Sequence, residues 1–306
     1  MHYLVTGGAG FIGSHLTEAL LQEGNTVTVL DDLSSGKREH LWEAITFHEG
    51  SITNYDLVET LVKKVDGVFH LAAIPSVTRS IEEWSVTHRI NQMGAVNVFE
   101  VAAKYNLPVV YASSAAVYGD NEQLPLHEES ETDPLSPYGL DKLACEWQAK
   151  IGHRIKGLNA IGLRFFNVFG PRQDPKSAYS GVISIFVDRL RNKESLLIFG
   201  DGEQTRDFIY VRDIIHAMNA AMQKLHQEDA VNFVSNLCTG QSVSLNQLAN
   251  KLMAISEIEV EVEYQFPREG DIMHSLGSPD RMQKAFGPLT NTNLDEGLEA
   301  LWKSLS

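Results

Sequence analysis

Cysteine is scarce in this chain: Cys145 and Cys238 are the only two among 306 residues. Two cysteines cannot build a disulfide framework, so a reducing compartment is expected, and both thiols read as small buried hydrophobes. Basic residues are also in short supply, 25 Lys and Arg against 40 Asp and Glu, for a formal charge of −15. That balance excludes a nucleic-acid or anionic-membrane surface, because either needs a basic footprint. The longest uncharged run, 230–250, is full of Asn, Ser, Gln and Gly and does not read as a membrane span. Residues 1–6 carry no basic region and no signal-type apolar stretch, so a cytoplasmic location is expected. No repeat, linker or low-complexity tract is present, and no metal site is expected.

What is present is an ordinary globular balance, 43% hydrophobic and 21% charged, long enough for one large domain or two modest ones. In the first half, apolar β-rich runs at 26–30, 67–71 and 107–112 alternate with helix-period segments near 12–23, 55–65 and 92–105. Strand, helix, strand in repetition predicts an α/β fold: a Rossmann-type, doubly wound parallel sheet that binds ligands beyond its strand carboxyl ends. After about residue 165 the rhythm changes. Short strands at 196–199 and 260–266 alternate with helices near 183–193, 213–224 and 245–255, the last opened by Ser244. We therefore expect a dinucleotide-binding part over 1–165 and a smaller mixed α/β part over 166–306, with the chain returning to the first near 207–238.

The first strand runs into Gly7-Gly8-Ala9-Gly10-Phe11-Ile12-Gly13 and then an amphipathic helix. Glycines at 7, 10 and 13 let the backbone turn tightly and approach a pyrophosphate, which the helix N-terminus attracts through unpaired N–H groups and its dipole. A glycine-rich turn alone is an ordinary strand–helix connection. Asp31 makes it more, because it ends the second strand, where an acid accepts from ribose hydroxyls and repels a 2′-phosphate. The expected cofactor is NAD.

Ser136-Pro137-Tyr138 reads as a helix start, which puts Tyr138 and Lys142 at i and i+4 on one face. An ammonium beside a phenol favours the phenolate and so makes a tyrosine usable as a general base. Upstream, Ser113 and Ser114 place two hydroxyls at the end of the fifth strand, where such a sheet carries its active site.

With these residues in view, the chain resembles the extended short-chain dehydrogenase/reductases, and among them the NAD-dependent nucleotide-sugar epimerases. The likeness runs along nearly the whole chain. It is carried by Thr6–Gly13, Asp31-Asp32-Leu33-Ser34-Ser35-Gly36, His70-Leu71-Ala72-Ala73, Asn91 with Gly94, Ser113–Gly119 and Tyr138-Gly139-Leu140-Asp141-Lys142. Further on it is carried by Arg164–Arg172, Gly200–Phe208 and Arg268-Glu269-Gly270-Asp271. The resemblance implies a catalytic triad of Ser114, Tyr138 and Lys142. It implies NAD held by Gly7, Gly10, Phe11, Ile12, Gly13, Asp31, Asp32, Ser35 and Gly36, with Ser51, Ile52, Leu71, Ala72, Ala73, Asn91, Ser113, Tyr138 and Lys142. It implies a UDP-sugar held by Ser76, Ser114, Asn167, Val182, Leu197, Phe199, Arg206, Arg268, Asp271 and Ser275, with Leu197 and Phe199 beside the uracil. Two positions depart from the family pattern, Ser51 and Ser278, where Asp is usual.

The family hosts several reactions. Its 4,6-dehydratases and decarboxylases carry acids just after the active serine, whereas here Ala115 and Ala116 follow Ser114 and can do no proton chemistry. Redox-neutral C4 epimerisation remains. Ser275 stands where family members that exclude a 2-acetamido group carry Tyr, so UDP-GlcNAc/UDP-GalNAc interconversion is expected, with or without UDP-Glc/UDP-Gal. The alternatives are a UDP-uronic acid 4-epimerase using Arg79 or the Ser76–Ser80 loop at C6, a nucleotide-sugar dehydratase or reductase, and a non-catalytic NAD-binding sensor. The resemblance also implies a homodimer through a four-helix bundle of segments near 92–105 and 140–155. The second segment carries the apolar stripe Leu143, Ala144, Trp147, Ile151 and Ile155.

Overall fold

The structure, a computed structural model, describes residues 1–175, 181–267, 272–287 and 292–305. In chain order the strands are β1 (His2–Thr6), β2 (Thr26–Asp31), β3 (Thr46–Glu49), β4 (Gly67–His70), β5 (Val109–Ser114), β6 (Ala160–Phe165), β7 (Asn167–Phe169), β8 (Leu196–Phe199), β9 (Thr205–Arg206), β10 (Phe208–Tyr210), β11 (Asn232–Leu237), β12 (Val243–Ser244) and β13 (Val262–Gln265). The helices are α1 (Phe11–Gln22), α2 (Tyr55–Val62), α3 (Val77–Glu82), α4 (Trp84–His88), α5 (Gly94–Lys104), α6 (Pro137–Lys156), α7 (Val182–Arg191), α8 (Val211–Gln227), α9 (Leu245–Ser256), α10 (Asp280–Phe286) and α11 (Leu294–Lys303).

Seven strands form one sheet in the order β11-β6-β5-β4-β1-β2-β3, every neighbouring pair parallel. Strand order reverses between β1 and β4, and the loops that leave those two strands diverge there to open a crevice. Apolar side chains cover both faces. On one, Leu16 and Leu20 of α1 and Ile214 and Met218 of α8 pack on Val5, Val29 and Phe69. On the other, Val58 and Leu61 of α2 and Val98 and Phe99 of α5 pack on Leu4, Val68 and Val109. Burying each large side chain is worth roughly 1.5–3 kcal/mol, so the two layers hold the strand ends, and the residues on them, in register. A third cluster joins α7, α9 and α11 through Phe186, Leu190, Leu248, Leu252 and Leu298, beside three two-stranded ribbons, β7/β10, β9/β12 and β8/β13.

Both anticipated helix caps form. The Ser136 hydroxyl accepts from the Gly139 N–H at 3.1 Å with Pro137 opening α6, and Ser244 makes a reciprocal capping box with Gln247 at α9. Three strands of the sheet, β3, β6 and β11, carry no clear sequence signal, and for the last two the reasons are a packing glycine and buried polarity. Gly162 interrupts β6 because its missing Cβ makes room for the Tyr111 ring; a Cβ there would lie 2.5 Å from Tyr111 Cζ. Asn236 interrupts β11, yet its side chain takes the Tyr118 hydroxyl at 2.6 Å and gives an N–H to Leu126 O at 2.9 Å. Polar residues that find buried partners look like loop when read one at a time. Among the described residues no helix is long and apolar enough to cross a membrane.

Candidate active site

The crevice is a cavity of about 400 Å³, within the range of small-molecule sites. Its floor is the turn between β1 and α1. Gly7 has φ +74°, a region L side chains avoid, and a Cβ there would come within 2.7 Å of Ala72 N. Gly13 is equally tight, since a Cβ would lie 2.1 Å from Gly7 O. Gly10 caps α1 with no side-chain hydrogen bond, and the first turn of α1 holds no acidic residue. The helix therefore presents its unpaired N–H groups and positive end to whatever anion enters. At the end of β2, Asp31 is almost fully buried, its Oδ2 accepting from Ala9 N–H at 3.0 Å and its Oδ1 from Leu33 N–H at 2.9 Å. Burial raises its pKa above the usual carboxylate value, and the two backbone bonds oppose that rise.

Across the crevice, β5 ends at Ser113 and Ser114. The Ser114 hydroxyl accepts from Ala116 N–H at 3.2 Å and caps the short turn Ala115–Tyr118. Ser113 donates to Glu146 Oε1 at 2.5 Å, and Glu146 in turn holds Arg164 through Nε at 2.8 Å and Nη2 at 2.7 Å. Tyr138 lies in the first turn of α6 and Lys142 one turn later, the Lys142 Nζ 5.9 Å from the Tyr138 ring centre. Lys142 is buried and donates to Ala112 O at 2.8 Å, which ties the ammonium to the strand that carries the two serines. His70, at the end of β4, exchanges a hydrogen bond with Thr6 Oγ1 at 2.8 Å. Burial, and then the Lys142 charge, pull its pKa down to about 3, so it stays neutral.

Of the residues read from the sequence, most line this one cavity. They are Gly7, Gly10, Phe11, Ile12, Gly13, Asp31, Asp32, Ser35, Ser51, Ile52, Leu71, Ala72, Ala73, Ser113, Ser114, Tyr138, Lys142, Asn167 and Val182. Others stand behind the lining. Gly36 packs on Ala9 and Asp31, where a Cβ would lie 2.8 Å from Ala9 Cβ. Asn91 braces the loop after β4, accepting from Ile74 N–H at 2.7 Å and donating to Ile74 O at 3.2 Å. Ser76 is buried and caps α3 through Arg79 N–H at 2.9 Å. Leu197 and Phe199 lie on β8, and Arg206 on β9; Ser275 donates its N–H to Thr205 O at 3.1 Å beside Arg206. These four do not line the cavity. Arg268 and Asp271 lie outside the described residues.

Sequence reading did not single out Pro75, Phe166, Gln173 or Phe208, all of which line the cavity. Phe166 and Phe208 lie within Arg164–Arg172 and Gly200–Phe208, two stretches that carry the family resemblance, and Gln173 follows the first, so those motifs were the available signal. Of the two departures from the family pattern, Ser51 lines the cavity and bonds Thr53 Oγ1 at 2.9 Å. Ser278 is buried, and its hydroxyl accepts the Asp280 N–H at 3.3 Å across Pro279, the N-cap of α10.

Comparison with known proteins gives concordant results. Residues 3–234 match the model of the NAD dependent epimerase/dehydratase family. The UDP-glucose 4-epimerase of Mycolicibacterium smegmatis is 34% identical over 306 aligned residues, covering 97% of this chain and 96% of that protein. Among solved structures, the UDP-N-acetylglucosamine 4-epimerase of Methanobrevibacter ruminantium in complex with UDP-N-acetylmuramic acid superposes with a TM-score of 0.94 at 38% identity, covering 99% of this chain and 97% of that one. The UDP-glucose 4-epimerase of Thermotoga maritima with UDP-glucose gives 0.95 at 37% identity, covering 100% and 98%.

Proposed function

The chain belongs to the NAD dependent epimerase/dehydratase family, and on that premise we propose that it is an isomerase that inverts C4 of a UDP-sugar through a 4-keto sugar. One observation carries the choice of reaction: among the described residues lining the cavity, the carboxylates are Asp31, the last residue of β2, and Asp32, which follows it. No acid follows Ser114 in the chain, where elimination of water or loss of CO₂ would need one; Ala115 and Ala116 fill those places.

The cradle fits NAD: a glycine turn that tolerates no Cβ, an open helix N-terminus and a buried carboxylate at the end of β2. When bound, NAD supplies an acceptor for the C4 hydride and returns it. The chain's own residues handle the proton. Tyr138 takes it from the 4-hydroxyl as general base, Ser114 holds the same oxygen, and Lys142, fixed on Ala112 O, sets an ammonium 5.9 Å from the Tyr138 ring centre. Glu146 and Arg164 hold Ser113 and the strand end beneath. Arg206, with Arg268 and Asp271, is the group we assign to the UDP moiety, and Ser275 to the sugar.

Within this reading the preferred pair is UDP-GlcNAc and UDP-GalNAc, supported by the small side chain of Ser275. The uronate alternative is less well served. Arg79 donates to Glu83 at 2.9 Å, and the Ser76 and Ser80 hydroxyls are both engaged by backbone N–H groups. Incubation with UDP-GlcNAc, UDP-Glc or UDP-GlcA, followed by product analysis, tests all of this. An equilibrium mixture of C4 epimers with the acetamido sugar at the highest kcat/KM is expected; an inert acetamido sugar overturns the size argument, and net NADH release or a dehydrated product overturns the reaction.

A second copy of the chain is the partner we assign to the outer face of α6, where Leu140, Trp147, Ile151 and Ile155 are all exposed along one helical stripe. Sedimentation of the chain and of Trp147→Glu reads this directly, with a dimer expected for the first and a monomer for the second.

A further inference from the structure

We infer that Ser80 is a positioning residue for Tyr138, and that the pair of short helices α3 and α4 acts as a bracket holding the first two turns of α6. The inference rests on the reading of Tyr138 as general base.

A helix start leaves its first N–H groups without intrahelical partners, and in α6 each can be followed to its acceptor. Pro137 has none to place. Gly139 uses the Ser136 hydroxyl, and Leu140 uses Ser136 O at 3.0 Å. The remaining donor is the N–H of Tyr138 itself, and its acceptor is Ser80 Oγ, at 3.1 Å and 58 residues earlier in the chain. Ser80 has no solvent exposure, and its own proton goes to Val77 O at 2.6 Å. That bond fixes the hydroxyl rotor and leaves a lone pair for the Tyr138 N–H.

The bracket is anchored at the cavity wall. Pro75 and Ile74 line the cavity; Asn91 holds Ile74, and Ser76 caps α3. Ser80 N–H then bonds Ser76 O at 3.0 Å, and Ser80 Oγ reaches Tyr138. At the other end, His88 Nδ1 meets Asp141 Oδ1 at 2.7 Å, next to Lys142 in sequence. Asp141 is buried, and among the described residues its second oxygen has no hydrogen-bond partner, so His88 is the side chain that compensates the buried carboxylate. The bracket thus touches α6 at Tyr138 and at the neighbour of Lys142. Displacement of a catalytic group by an ångström costs rate far more than it costs fold stability.

Ser80→Ala removes this contact while leaving every cavity-lining side chain in place. Expected are a fall in kcat of tenfold or more, KM for the UDP-sugar and bound NAD unchanged, and a shift in the kcat–pH profile. Ser136→Ala, which removes the neighbouring cap without touching the Tyr138 N–H, should lose more in Tm and less in kcat. Equal kcat losses in the two variants, a Ser80→Ala kcat within twofold of wild type, or a Ser80→Ala chain that does not fold each overturn the inference. Tyr138→Phe separates the two readings. If it stays active, the general-base assignment fails; if it is inactive while Ser80→Ala is normal, the bracket alone fails.

Discussion

The two walls of the site are built differently. The cofactor wall comes from the carboxyl ends of β1, β2, β4 and β5 in one parallel sheet, and nearly all residues assigned to it line a single cavity. The wall assigned to the UDP-sugar is spread over β8 and β9, each in a two-stranded ribbon, and a segment near Ser275 that pairs with Thr205. Four of its residues, Leu197, Phe199, Arg206 and Ser275, stand off the cavity. One wall works through backbone groups held by a buried sheet, the other through half-buried side chains on short ribbons. The first is therefore set once the sheet forms, whereas the second depends on how separate pieces meet.

Variants can sharpen or break that contrast. The largest expected effect lies where the walls meet: Tyr138→Phe should lower kcat by about 10²–10⁴-fold while NAD stays bound, read by turnover and by cofactor content after desalting. Next, Arg206→Met should raise KM for the UDP-sugar by about 10–100-fold, the worth of a charged hydrogen bond, with NAD content unchanged. The matching change on the other wall is Gly7→Ala. With φ +74° and a Cβ within 2.7 Å of Ala72 N, it should cost about 1–3 kcal/mol in strain and weaken NAD binding, read as a lower Tm and a smaller NAD-induced rise in Tm. If Arg206→Met lost NAD, or Gly7→Ala lost only the sugar, the division into two walls would be wrong.

The smallest effect is a pH dependence seated in the cofactor wall. His70 is buried and its folded pKa lies near 3, well below its ordinary value, so the unfolded chain takes up a proton that the folded chain refuses. Its contribution to stability is complete above about pH 6.5 and falls by at most about 1.4 kcal/mol per pH unit as pH drops toward 3. Urea unfolding of wild type and His70→Asn between pH 7 and pH 5 reads the slope. The variant should show the shallower fall; identical slopes would remove His70 as the cause.

Legibility followed the same division. The glycine turn, Asp31 and the Tyr138–Lys142 pair were readable because local spacing alone puts them on one turn or one helix face. The contacts of Glu146, Arg164 and Ser80 were not readable, since each acts through a partner 18 to 58 residues away that no periodicity marks. β11 was hidden by Asn232, Ser235 and Asn236, polar residues in a buried strand.

Local spacing was enough for the strand–turn–helix cradle, the acid at the end of β2 and the i,i+4 pairing of Tyr138 with Lys142, because backbone geometry carries these over a few residues. Only the tertiary structure decided that β4 and β1 lie side by side, which opens the cavity between their diverging loops. It alone gave the Tyr138 N–H its acceptor in α3 and set the carboxylate inventory of the cavity. Those are contacts between segments far apart in the chain. They exist only once hydrophobic burial has paired the strands and every buried polar group has found its partner.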